Sequence, residues 1–125
     1  MRILICDDDD LFTKQLEELL LTFFNKKKIQ PPDLQIYHTG EDLLADTGNM
    51  DLVFLDIEMP GMNGILTGQQ LVRKNKNVIL IVTTSYAEYL DDAMRIHVFR
   101  YLSKPIERNR FYRNVQDALK LYHSL

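Results

Sequence analysis

The segment "RILICDDDD" (residues 2–10) decides how this chain is read. Ile3 to Cys6 form an unbroken apolar run that leads directly into four aspartates, Asp7 to Asp10. An aliphatic run without polar alternation is the mark of a strand covered on both faces. Four adjacent carboxylates repel one another, and burying even one without a partner is costly. One reading solvates all four at the surface, with one of them capping the helix that follows. The other gives some of them a cation to hold. The rest of the chain discriminates between the two.

Moving outward, short apolar runs alternate with amphipathic stretches. Leu11, Phe12, Leu16, Leu19, Leu20 and Phe23 recur at helical spacing, and Lys26 to Lys28 suit that helix's C-terminus. Pro31 and Pro32 end it. "LQIYH" (34–38) predicts a second strand, Thr39 and Gly40 a turn, and "EDLLADTG" (41–48) a short helix closing near Gly48. "DLVFLD" (51–56) predicts a third strand, followed by the turn-rich loop "MPGMNG" (59–64). "ILTGQQLVRKN" (65–75) predicts a helix, weakened by about 1 kcal/mol at Gly68 relative to alanine. "VILIVTTS" (78–85) predicts strand four, "AEYLDDAMRI" (87–96) a helix, and "FRYLS" (99–103) strand five. A terminal helix begins near Glu107, with Phe111, Val115, Ala118, Leu119 and Tyr122 on one face. Strict alternation of doubly covered strands with helices implies an α/β fold with a parallel sheet between two helical layers. In such sheets the functional crevice lies beyond the carboxyl ends of the strands.

Bulk properties narrow the function classes. The 125 residues predict one domain, 1–125, with 46% hydrophobic and 26% charged residues, ordinary for a globular chain. A net charge of −3 supplies no global positive field to draw nucleic acid or an anionic membrane. Cys6 is the sole cysteine, so no intrachain disulfide can form, and its apolar setting predicts a buried thiol. The longest aliphatic run, "VILIV" (78–82), is far too short to span a bilayer, and residues 1–12 lack the pattern of a signal peptide. A cytoplasmic location is expected.

The strand ends carry the chemistry. Strand one ends in Asp7 and Asp8, strand three in Asp56, strand four in Thr83, Thr84 and Ser85, and Lys104-Pro105 follows strand five. Separately, each has an ordinary explanation: an Asp cap, a β-propensity Thr pair, a solvated Lys in a loop. Together on one sheet edge, the three carboxylates require a cation, and oxygen donors without a His or Cys cluster favour Mg²⁺. Lys104 and a strand-four hydroxyl suit phosphoryl oxygens. Asp56, in the centre, suits a nucleophile that forms an aspartyl phosphate. Asp9 and Asp10 keep the capping role. His38, His97 and His123 are scattered, without metal-ligand spacing.

The stretches "ILICDDDDLF", "DLVFLDIEMPGMNG", "TTSY" and "YLSKP" resemble the receiver domain of two-component response regulators. "SYAEYLDDAM" followed by "FRYLSKPIERNRF" resembles receivers that precede a LytTR-type DNA-binding domain. The resemblance covers the whole chain and implies a CheY-like, flavodoxin-like (βα)5 doubly wound sheet with strand order 2-1-3-4-5. It implies Asp56 as phosphoacceptor, with Mg²⁺ held by Asp8 directly, Asp7 largely through water, Asp56, and the backbone carbonyl of Glu58. Thr84 is implied as the switch hydroxyl, Lys104 as the phosphate-binding lysine, Tyr101 as the aromatic switch and Lys104-Pro105 as a cis peptide. Glu58 and Tyr86 would flank the path of the hydrolytic water. The implied donor is the phosphohistidine of a sensor histidine kinase. The implied output is a change in the surface formed by the 87–96 helix, strand five and the terminal helix. Homodimerisation on phosphorylation is expected, and DNA would be reached only through a C-terminal output domain missing from these 125 residues. The resemblance implies no enzymatic turnover beyond self-phosphorylation and autodephosphorylation.

Two other classes compete. A haloacid-dehalogenase-like phosphatase also uses a strand-end Asp nucleophile, but it needs a second Asp two residues on, where this chain has Glu58, and its acidic pair comes late in the sequence. A non-phosphorylated pseudo-receiver would serve only as a binding module, but such modules lose part of the acid–lysine set, and this chain keeps all of it.

Overall fold

Short aliphatic runs pair edge to edge to make the scaffold. The computed structural model describes residues 1–58, 64–85 and 97–125. Within them, β1 (Arg2–Cys6), β2 (Asp33–Tyr37), β3 (Leu52–Asp56), β4 (Ile79–Thr84) and β5 (Arg100–Ser103) form one parallel sheet in the order β2-β1-β3-β4-β5. The described helices are α1 (Asp10–Lys26), α2 (Gly40–Ala45), α3 (Gly64–Lys74) and the terminal α4 (Arg108–Ser124). The helix expected over 87–96 lies outside the described residues. The chain steps from β1 outward to β2 and then returns to β3, so the order reverses beside β1, where a crevice opens.

Alternate strand residues feed two cores. Ile3, Ile5, Phe54 and Ile81 face α1 and α4, where Leu16, Leu20, Phe23 and Phe111 complete the layer. Phe54 stacks on Phe111 with ring centroids 5.7 Å apart. Leu4, Cys6, Leu55 and Val82 face the other way, against Leu43 of α2 and Leu71 of α3. Burying each such side chain contributes about 1.5–3 kcal/mol. Both faces of β1 and β3 are therefore sealed, and only their carboxyl ends can present polar groups. Gly68 falls on the buried stripe of α3 with Gly64, Thr67 and Leu71.

Helix ends follow local chemistry. Asp9 caps α1, its carboxylate accepting from the backbone N–H groups of Leu11 and Phe12. At the other end, Lys28 N–H donates to the Asn25 carbonyl and Ile29 N–H to the Phe24 carbonyl, a Schellman closure. Lys28 takes the left-handed conformation, φ 56°, that this closure normally assigns to glycine. Glu107 caps α4, accepting from Asn109 and Arg110.

Several element boundaries differ from expectation by a residue or more, and two of the shifts have a traceable cause. α2 stops at Ala45 instead of near Gly48, because Asp46 turns extended (φ −72°, ψ 122°) to meet Arg2. The Arg2 guanidinium grips both Asp46 oxygens, at 2.9 and 2.6 Å, and the Tyr37 hydroxyl donates to one of them. That pairing holds the Asp46 carboxyl well below the usual carboxylate range. β2 runs over 33–37 instead of 34–38, since Asp33 pairs in register with Arg2. His38 falls past the strand, its Nε2 2.7 Å from Asp10.

Two substitutions test these local rules in opposite directions. A Cβ on Gly64 would lie 2.3 Å from the Asp56 carbonyl oxygen and 2.3 Å from the Ile57 Cα, both backbone atoms of the site. Gly64→Ala should therefore cost about 1–3 kcal/mol, read as a lowered thermal midpoint. Lys28→Gly should raise the midpoint by relieving strain, for a net gain of up to about 1 kcal/mol. An unchanged or lower midpoint for Lys28→Gly would contradict the closure described.

Candidate functional site

β1 and β3 are neighbours in the sheet, with Cys6 opposite Leu55, so the residues that end them are forced together. Asp7, just past β1, is 1% exposed, and Asp56, the last residue of β3, is 2% exposed. Asp8 is exposed at the rim. One carboxylate oxygen from each of Asp7, Asp8 and Asp56 lies within 4.8 Å of the others. The two buried acids are anchored by backbone: Asp9 N–H donates to Asp7 Oδ1 and Glu58 N–H to Asp56 Oδ1, both at 2.9 Å.

Lys104 reaches this pair from the loop after β5. Its Nζ lies 2.7 Å from Asp7 Oδ2 and 3.4 Å from Asp56 Oδ2. Its backbone N–H donates to the Thr84 carbonyl at 2.9 Å, which ties the loop to the end of β4. The Lys104–Pro105 peptide is cis. The Phe12 ring lies beneath the ammonium, with Nζ 4.3 Å from its centroid. Sequence reasoning placed Phe12 only in the core; its signal was position, in the first turn of the helix that follows the aspartates.

The end of β4 supplies the hydroxyls. Thr83 and Thr84 are both buried, and Thr83 lies opposite Asp56 in register. Thr84 Oγ1 donates to Glu58 Oε1 at 2.7 Å, and Ser85 N–H donates to the same oxygen at 2.5 Å. The Glu58 side chain thus faces the β4 end, a role invisible in the sequence because it depends on a contact 26 residues away. Tyr101 lies opposite Val82, half-buried against the core on that side of the sheet, and burial raises its phenol. Tyr86 lies outside the described residues. His38, His97 and His123 are exposed and distant from one another in the chain.

Burial dominates the electrostatics. It pushes the Asp56 carboxyl up to about 6, with the Glu58 N–H pulling down and the neighbouring Asp7 charge pushing further up. Burial also raises Asp7, against the Lys104 hydrogen bond. For Lys104, burial disfavours the ammonium, but Asp7 and Asp56 together outweigh it and raise its pKa. Among the described residues, three carboxylates thus share one ammonium, an excess of negative charge that a further cation would offset. The donor set is oxygen only, anchored and partly open at Asp8, which fits a hard divalent ion such as Mg²⁺.

A carboxyl raised in the folded state binds its proton more tightly there than in the unfolded chain. Its charge therefore destabilises the fold once pH rises through the interval from about 4 to about 6. In metal-free protein, Asp56→Asn should raise stability above pH 6 by on the order of 1–3 kcal/mol. That gain should fade as pH drops toward 4. Chemical denaturation of both proteins at pH 7.5 and pH 4.5 checks it; an equal or larger gain at the lower pH contradicts it.

Known proteins share this architecture. A family model described as the response regulator receiver domain matches residues 3–116. The sensory transduction protein LytT of Oceanobacillus iheyensis is 33% identical over 115 residues, which cover 89% of this chain and 45% of that protein. The chain spans less than half the length of the curated relatives it matches. Among solved structures, the signal receiver domain of an HD domain-containing protein from Pseudomonas fluorescens Pf-5 superposes with a TM-score of 0.86. It is 22% identical, over 99% of this chain and 98% of that one. The response regulator protein TrrA from Thermotoga maritima, solved in complex with Mg(2+)-BeF, gives a TM-score of 0.73 at 28% identity, over 94% of this chain and 97% of that one. With the matching model spanning most of its length and the acids and lysine gathered at the switch point of the sheet, the chain belongs to the response regulator receiver domain family, a phosphorylation-dependent signalling module of two-component systems.

Proposed function

We propose that Asp56 is the phosphoacceptor and that its donor is the phosphohistidine of a sensor histidine kinase. The observation that carries this is the setting of Asp56: a buried carboxylate, fixed by the Glu58 N–H on one oxygen and facing Lys104 across the other. An Asp56 oxygen attacks phosphorus, an O–P bond forms, and the P–N bond to the donor imidazole breaks. In this reading Lys104, 3.4 Å from Asp56 Oδ2, pairs with one phosphoryl oxygen, and the Thr84 hydroxyl turns from Glu58 to donate to another. Asp7, Asp8, Asp56 and the Glu58 carbonyl would hold Mg²⁺, which when bound offsets the charge of the phosphoryl group. The Mg(2+)-BeF complex of TrrA supports that assignment by similarity.

Phosphorylation then biases a two-state surface through Thr84 and Tyr101, and hydrolysis past Glu58 and Tyr86 resets it. Self-phosphorylation and autodephosphorylation are the only chemistry in this reading. The switched state forms a homodimer and controls transcription through a LytTR-type output domain outside these 125 residues; similarity to LytT supports this. The site belongs to the cytoplasm, and no helix among the described residues is long and apolar enough to cross a membrane. A dehalogenase-type phosphatase is disfavoured, since the Glu58 carboxylate is engaged by Thr84 and Ser85 instead of being free to protonate a leaving group.

Intact mass after incubation with acetyl phosphate tests the proposal. One phosphoryl group should add to the wild-type chain when Mg²⁺ is present, and none should add to Asp56→Asn or in excess chelator. Folded wild-type protein that gains no mass would leave only the binding-module reading. Steady release of phosphate from unrelated phosphomonoesters would revive the phosphatase.

A further inference from the structure

The Glu58 side chain sits between the phosphorylation site and the switch hydroxyl. Two donors from consecutive residues converge on its Oε1: the Thr84 hydroxyl at 2.7 Å and the Ser85 N–H at 2.5 Å. The Thr84 hydroxyl has a single proton, and Glu58 Oε1 accepts from it. Thr84 is 3% exposed and Glu58 half-buried, so this charge-assisted bond is partly screened from water. The backbone N–H of the same Glu58 donates to Asp56 Oδ1 at 2.9 Å. Residue 58 therefore touches the acceptor with its backbone and the β4 end with its side chain.

We propose that Glu58 is a positioning residue that latches Thr84 in the resting state and surrenders it when Asp56 is phosphorylated. The inference rests on the receiver reading and adds a competition to it. The acyl phosphate carries up to two negative charges where the Asp56 carboxylate carried one, beside a carboxylate two residues away, which repels Glu58. The same group offers the Thr84 proton an acceptor of higher charge. Both effects point one way: the hydroxyl leaves Oε1 and the end of β4 moves with it. The strength of the latch then sets how much of the unphosphorylated protein is already switched. This role differs from shaping the path of the hydrolytic water, because it acts before any phosphoryl group is present.

The Thr84 methyl resonance in ¹³C-methyl-threonine NMR reads this directly, assigned by its disappearance in Thr84→Ser. Wild-type protein with Mg²⁺ and acetyl phosphate defines the switched position. In donor-free protein, Glu58→Ala should move the Thr84 signal toward that position and raise the switched fraction about tenfold, the scale of one charge-assisted hydrogen bond. Glu58→Gln keeps an acceptor without the charge and should fall between wild type and Glu58→Ala. If Glu58→Ala does not fold, Glu58→Met, of similar length and without an acceptor, makes the same comparison. A Thr84 signal in the acceptor-less variant coincident with resting wild type overturns the latch. A wild-type signal and mass that do not respond to acetyl phosphate overturn the receiver reading itself, so the two failures are distinct.

Discussion

Two carboxylates buried side by side at the ends of β1 and β3, with one ammonium between them, are the constraint around which this molecule is arranged. Aliphatic side chains seal both faces of those strands, so the charges can be placed only at the strand ends. Asp7 and Asp56 are almost wholly buried there, and Lys104 approaches both. Each ion alone would be costly to bury, and removing one partner would leave the others uncompensated. Lys104 is in turn fixed by its backbone bond to Thr84 and by the Phe12 ring under its ammonium. The loops after β1, β3 and β5 and the end of β4 are thus tied to one electrostatic knot.

The remaining imbalance gives the knot its use. Burial, with the neighbouring Asp7 charge, holds Asp56 near the top of the carboxylate range, and the acids gathered there outnumber the one lysine described beside them. Such a carboxylate is poised for a change in its charge partners. The Glu58 carboxylate adds a further negative charge at the edge of the site, and its bond from the Thr84 hydroxyl joins that charge to the end of β4.

Much of this was legible in the sequence. The unalternated runs at 2–6, 51–56 and 78–85 specified doubly covered parallel strands, and the polar residues ending them specified the site, because strand ends are the only exits from such a layer. The sequence left the cap between Asp9 and Asp10, and the structure assigns it to Asp9. The boundaries that moved did so through contacts distant in sequence: Asp46 leaves the helix for Arg2, 44 residues away. Lys28 in a left-handed closure carried no signal, since lysine is an unfavoured residue there. The Glu58–Thr84 bond and the Phe12–Lys104 contact depend on how β4, α1 and β5 are stacked, which periodicity does not encode.

The most direct test of the account is chemical location of the phosphoryl group. Borohydride reduces an aspartyl phosphate to homoserine, so the phosphorylated chain can be reduced, digested and sequenced by mass spectrometry. The account predicts homoserine at position 56 and nowhere else. Homoserine at Asp7 or Asp8, or a phosphoryl group that resists reduction, would contradict it.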